Sequence, residues 1–134
     1  MHAPEIEARR WLDAAREDLD CARHAASGAF HAAACFHAQQ AAEKAVKAEH
    51  YRRGARAVIG HSVRALIEAL TPRDARLDEL LDAARELDLL YVPTRYPNGL
   101  ASGTPGQAFS ATQSTRALAL ADTIVAAAVV LLGS

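Results

Sequence analysis

An all-α helical bundle is the fold class this sequence predicts, and two features of its composition together with its periodicity carry that expectation. Thirty-two of the 134 residues are alanine, the residue with the best helix propensity and one small enough to let neighbouring helices approach closely. Hydrophobic residues make up 51% of the chain and aromatics only 5%, which is enough to bury a core in a chain of single-domain length. Apolar positions then recur at steps of three and four along most of the sequence. The expected form is an up-and-down bundle of four main helices plus one short helix, as one domain over residues 1–134.

The first helix is expected over residues 4–26. Ala8, Leu12, Ala15, Leu19, Ala22 and Ala26 form one apolar stripe, and Pro4 suits a first-turn position. Ser27-Gly28 is a stop signal followed at once by more helix, so the two helices should form an antiparallel hairpin. The second runs over about 30–52, with Ala34, Ala38, Ala41, Ala42, Ala45 and Ala48 on one side. Gln40, Glu43, Lys44 and Lys47 gather on the other, at spacings of three and four. Read by itself, that polar stripe is a solvated face. A short third helix is expected over 62–70, with Ser62 as its N-cap and Thr71-Pro72 as its stop.

The fourth helix should start near Arg73 or Asp74, with Leu77, Leu80, Leu81, Ala84, Leu87 and Tyr91 on its apolar face and Asp88 beside it. Residues 92–109 hold three of the five prolines and three of the seven glycines, making a loop long enough to suggest function. The last helix opens on Ser110-Ala-Thr-Gln113, which fits a capping box, and runs to about Leu132. Its end is apolar on every side, which calls for burial that one small bundle seldom supplies and self-association would.

The formal net charge of −1 argues against broad binding to phosphate backbones, although a local basic site is compatible with it. Cys21 and Cys35 lie in helical patterns without metal-ligand spacing and read as reduced packing residues of a cytoplasmic protein. The six histidines form no metal-binding motif, so neither a metal nor another cofactor is expected. The N-terminus lacks a signal-peptide core, and the nine-residue run 124–132 is too short to span a bilayer, so no membrane partner is expected.

Residues 90–99, LYVPTRYPNG, do not fit plain helix. Pro93 ends the fourth helix, and Pro97-Asn98-Gly99 reads as a turn. Between them an arginine is held in a stiffened segment, with a planar fork suited to phosphate or carboxylate. Tyr91 and Tyr96 could stack on a base or on the guanidinium itself. The competing reading is structural: Arg95 bonds exposed carbonyls while the tyrosines close the bundle's mouth. Arg56 and His61, separated by four residues, form a second pair, suited to RNA cleavage if the imidazole moves a proton and the guanidinium stabilises phosphate charge.

ACFHAQQAAEKAVKA (34–48), GHSVRALIEAL (60–70) and LDLLYVPTRYPNG (87–99), in that order and spacing, resemble a small prokaryotic HEPN-domain protein (higher eukaryotes and prokaryotes nucleotide-binding). WLDAAREDLDCA (11–22) matches the family's usual opening helix, so the resemblance covers nearly the whole chain. It implies a helical bundle that commonly pairs as a homodimer and is often encoded beside a minimal nucleotidyltransferase, several such pairs acting as toxin–antitoxin systems. Many members are metal-independent RNases that use an arginine, four to six residues, then a histidine. Their motif usually falls after the position of Arg95, where this chain has no histidine; Arg56 and His61 fit the spacing elsewhere.

The expected site is a cleft in which Arg95, Lys44 and Lys47 hold a phosphate and Tyr91 and Tyr96 form the walls. Gln40, Glu43 and Asp88 orient the cations, with Asp88 paired to Arg95. The expected function is a module that binds nucleotide or RNA, works as a homodimer and engages a nucleotidyltransferase partner. The alternatives are an RNase toxin using Arg56 and His61, and a dimerisation subunit without ligand.

Overall fold

The structure, a computed structural model, describes residues 3–133. Helix α1 (Pro4–Ser27) and helix α2 (His31–Arg52) form the expected antiparallel hairpin: Trp11 stacks on Tyr51 near one end, and Asp18 reaches Lys44 further along. Five of the six residues in the α1 stripe are buried, from Ala8 to Ala22, while Ala26 is only partly covered. Cys35 is buried in the core, and burial pushes its thiol up to about 11. Cys21, by contrast, is exposed. It sits two residues after buried Leu19, about 200° around the helix and off the apolar stripe, so it is no packing residue.

Helix α3 (Val63–Glu68) starts at Ser62, whose hydroxyl accepts from the Ala65 N–H at 3.0 Å. The fourth helix of the sequence reading is two pieces, α4 (Ala75–Asp78) and α5 (Leu81–Asp88). No proline or glycine marks the break. Leu77, Ala84 and Leu87 reach the core, while Leu80, Leu81 and Tyr91 are half-buried. The long loop is itself structured, with a 3-10 turn at Pro97–Gly99 and helix α6 (Pro105–Ala108). A β-carbon on Gly99 would come within 3.1 Å of the Pro93 backbone. A bare glycine therefore lets the two ends of the Arg95 segment close on each other.

Helix α7 (Ala111–Leu132) opens on the capping box of Ser110 and Gln113 and packs against α1, α2 and α5. Taken whole it is long and apolar enough to cross a membrane, a length that the nine-residue run understated. Within the bundle it buries Ile124, Val125, Ala127 and Ala128, and its two charged residues pair with neighbours, Arg116 with Glu86 and Asp122 with Arg23.

The helix that is surrounded is α2. All six alanines of its apolar side are buried, and so are Gln39, Glu43, Lys47 and Glu49. The stripe from Gln40 to Lys47 is therefore not a solvated face: α1 and α7 cover α2 on two sides, and the ends of α3 and α5 lie on another. Burying such groups is costly unless each finds a partner, and that requirement organises the site.

Candidate functional site

Glu43 is 3% exposed. One carboxylate oxygen accepts from Lys47 Nζ at 3.0 Å; the other faces His61 Nδ1 at 3.2 Å and Gln40 Nε2 at 3.4 Å. Gln40 also donates to the Gln39 side chain at 2.7 Å, and Gln39 donates to the His61 carbonyl at 2.9 Å. The hub thus fixes the His61 backbone as well as its ring. A carboxylate only accepts, so Nδ1 carries the hydrogen in this contact and Nε2 is left for another partner. The imidazole lies parallel to Tyr91, with ring centroids 4.6 Å apart.

Tyr91 in turn faces Arg95. The guanidinium carbon lies 4.5 Å from the Tyr91 centroid, 4.7 Å from Phe36 and 5.0 Å from Tyr96. Arg95 Nε donates to the Tyr91 carbonyl at 3.0 Å. Among the described residues no carboxylate pairs with this half-buried guanidinium, and its two terminal nitrogens donate to no protein acceptor. Three rings cover the faces of the fork and leave its edge open. Arg95 thus bonds a carbonyl, as the structural reading expected, and of the two stacking partners the sequence allowed the tyrosines, the guanidinium is the one they meet.

The open edge borders a pocket of about 480 Å³, lined by Phe30, His31, Phe36, His37, Thr94 and Arg95 among others. Its floor is the start of α2, which has no side-chain cap, so first-turn N–H groups there lack an intrahelical partner. The end of a helix dipole adds positive potential beside an uncompensated cation.

The expected cleft is divided. Lys44 does not face this pocket: its Nζ is 2.6 Å from Asp18 Oδ2, and it lines a separate hollow with Trp11. Lys47 is spent on Glu43 and lies over the Trp11 ring at 5.6 Å. Asp88 does not hold Arg95. Its carboxylate accepts from Ser62 Oγ at 2.7 Å and from the N–H groups of Val63 at 2.6 Å and Arg64 at 3.2 Å. Helix α5 ends at Asp88, so two further turns to Arg95 do not exist, and the unpaired amides of α3 are the nearer partners. Arg56 is exposed on the connection between α2 and α3, whereas His61 belongs to the Glu43 hub. Among the described residues no three His, Cys, Asp or Glu side chains gather as a metal site.

The sequence reading missed Asp18, Phe30, His31, Phe36 and His37. His37 Nδ1 lies 3.2 Å from Asp18 Oδ1, and its ring meets Phe36 edge-on at 5.4 Å. His31 Nδ1 lies 2.8 Å from the hydroxyl of Ser114, which is fully buried in α7. One signal was available: His37 and Lys44 are seven residues apart, two helical turns, so a single carboxylate on a neighbouring helix can meet both.

A bundle built around a central polar helix, with an arginine cage at one end, is the class of protein these features define. The HEPN domain model matches residues 8–130, and the chain belongs to the HEPN-domain family. Among solved structures it is similar to TT1696 from Thermus thermophilus, with 39% identity over 91% of this chain and 95% of that one and a TM-score of 0.85. It is also similar to ST0689, an archaeal HEPN homologue (32% identity, 94% and 98% covered, TM-score 0.77). A HEPN domain protein from Thermotoga maritima, tm0613, shows 38% identity with 92% and 97% covered and a TM-score of 0.71. No curated protein matches the chain.

Proposed function

We propose that this HEPN protein is a binding module that engages a nucleotide or RNA through a phosphate held by Arg95. The observation that carries this is the guanidinium itself: half-buried, stacked by three rings, with no carboxylate partner among the described residues and its terminal nitrogens open at a pocket. A structural arginine in such a place normally takes a carboxylate, because an unpaired buried charge is costly. Here the missing counter-ion is the ligand's. Gln40, Glu43 and Lys47 hold His61 under Tyr91, and Tyr91 and Tyr96 hold Arg95. Lys44 and Asp88 brace the surrounding helices.

Arg95→Met keeps a long side chain against the rings while removing the charge and the fork. In calorimetric titration it should weaken nucleotide or short-RNA binding by roughly 1–3 kcal/mol, the range for a lost charge-assisted hydrogen bond. The melting temperature should change little. Wild type that binds no nucleotide or RNA, with a variant that melts far lower, would make Arg95 a structural clamp and the protein a ligand-free dimerisation subunit.

The module works as a homodimer in this proposal, with a minimal nucleotidyltransferase as its partner in a toxin–antitoxin-like pair. The family resemblance supports the partner. The dimer rests on α7, where Val130 is 58% exposed and a groove of about 460 Å³ runs between α7 and the Arg16–Arg23 side of α1. Light scattering at micromolar concentration should give twice the chain mass, and a monomer would overturn this part.

One observation favours a second reading, a metal-independent RNase. The Glu43–His61 contact fixes an imidazole with Nε2 available, as general acid–base chemistry needs. RNA cleavage without metal that His61→Ala abolishes would select it.

A further inference from the structure

We propose that the pocket beside Arg95 is the seat of a single nucleotide, whose base stacks on Phe30 while its phosphate lies on Arg95. This rests on the reading of Arg95 as a phosphate site and adds what occupies the space next to it. Phe36 and Tyr91 face the guanidinium and each also meets a histidine ring, while Tyr96 faces it from outside the pocket lining. Phe30 is different: it lines the pocket, is 70% exposed and pairs with no other described ring.

Its position is set by the neighbouring turn. A β-carbon at Gly28 would come within 3.3 Å of the Phe30 ring, so the glycine gives the ring a place to lie. Ala29, with φ of 64°, reverses the chain between them. An exposed aromatic held in place at the lip of a pocket is a stacking surface, and every base offers it a flat face.

The other wall residues fit the rest of a nucleotide. Asp18 engages His37 Nδ1 and Ser114 engages His31 Nδ1. Ser114 donates its own hydrogen to the Ala111 carbonyl at 3.2 Å, which leaves its oxygen to accept from His31. With Nδ1 engaged, the Nε2 of each ring has no partner among the described residues and is left for a polar group of the ligand, such as a ribose hydroxyl. Cation, flat ring and polar ring nitrogens together match phosphate, base and sugar. A volume of about 480 Å³ lies within the ordinary range for small-ligand sites.

The test is calorimetric titration of the full chain with adenosine 5′-monophosphate and with ribose 5-phosphate, repeated on Phe30→Ala and Arg95→Met. Phe30 is mostly exposed, so its removal spares the fold, which circular dichroism checks. Wild type should bind the nucleotide about tenfold more tightly than the sugar phosphate, the scale of one stacked base. Phe30→Ala should erase that difference and leave ribose 5-phosphate binding unchanged, whereas Arg95→Met should weaken both. If Arg95→Met weakens both ligands and Phe30→Ala changes neither, the phosphate site stands and the base subsite is overturned. If wild type binds neither compound, the single-nucleotide seat is overturned, and titration with a short RNA then decides whether the phosphate reading falls with it.

Discussion

Glu43 and Asp18 are two versions of one device at different depths. Each carboxylate divides its oxygens between a lysine Nζ and a histidine Nδ1: Glu43 serves Lys47 and His61, and Asp18 serves Lys44 and His37. Each histidine meets an aromatic ring, Tyr91 or Phe36, and both rings face Arg95. The difference is solvent. The Glu43 and Lys47 side chains are 4% and 7% exposed, whereas those of Asp18 and Lys44 are 14% and 29%. The deep version has its ion pair shut in the bundle and only its histidine reaching outward. The shallow version lies at the seam of α1 and α2, where water screens it. The same contacts should therefore matter very differently to the fold.

The largest effect should come from Glu43→Gln. The substitution keeps shape but removes the charge, leaving Lys47 buried without its partner, at a cost of about 3–5 kcal/mol. Asp18→Asn, the matching change in the shallow version, should cost about 1 kcal/mol or less. Urea unfolding of the two variants reads the contrast directly. The double variant Glu43→Gln/Lys47→Met sharpens it: with neither charge left inside, much of the lost stability should return. Equal losses for Glu43→Gln and Asp18→Asn would mean that depth does not separate the two hubs.

What the sequence made legible follows the same division. The α1 stripe, the turn at Gly28, Ser62 as a cap and the Ser110–Gln113 capping box are local, and a few neighbouring residues specify each. The depth of Glu43 is not local. Its i,i+4 pairing with Lys47 looks the same on a solvated face as at the centre of a bundle, and only the packing of α1, α7, α3 and α5 around α2 decides between them. Read from its sequence, α7 calls for burial all round, yet it keeps Val130 exposed while α2 is the enclosed helix. Asp88 failed for a related reason. Its distance along the chain from Arg95 assumed a continuous helix, and the true partners lie on α3, some 25 residues away. Arg95 stood out because two prolines and two tyrosines around one arginine break the helical pattern, although those residues alone fit a structural clamp as well as a site. Phe30 and Phe36 were not, since a single aromatic at helical spacing reads as core.

The smallest effects should come from the histidines, and there the two versions part in kind. His61 does not line the pocket and reaches Arg95 only through Tyr91, whereas His37 lines the pocket itself. Each alanine substitution should weaken adenosine 5′-monophosphate binding a few-fold, about 0.5–1 kcal/mol, the scale of one neutral hydrogen bond or one aromatic pair. A double-mutant cycle with Arg95→Met then separates the routes. His61 acts by holding the ring beneath the guanidinium, so its effect should vanish once the guanidinium is gone. His37 should keep its effect in that background, because its Nε2 meets the ligand without passing through Arg95. If the His61 effect survives Arg95→Met, the imidazole touches the ligand directly and the deep hub is part of the binding surface. If the His37 effect vanishes there instead, the shallow hub merely positions Phe36 and the guanidinium, and its Nε2 meets no ligand.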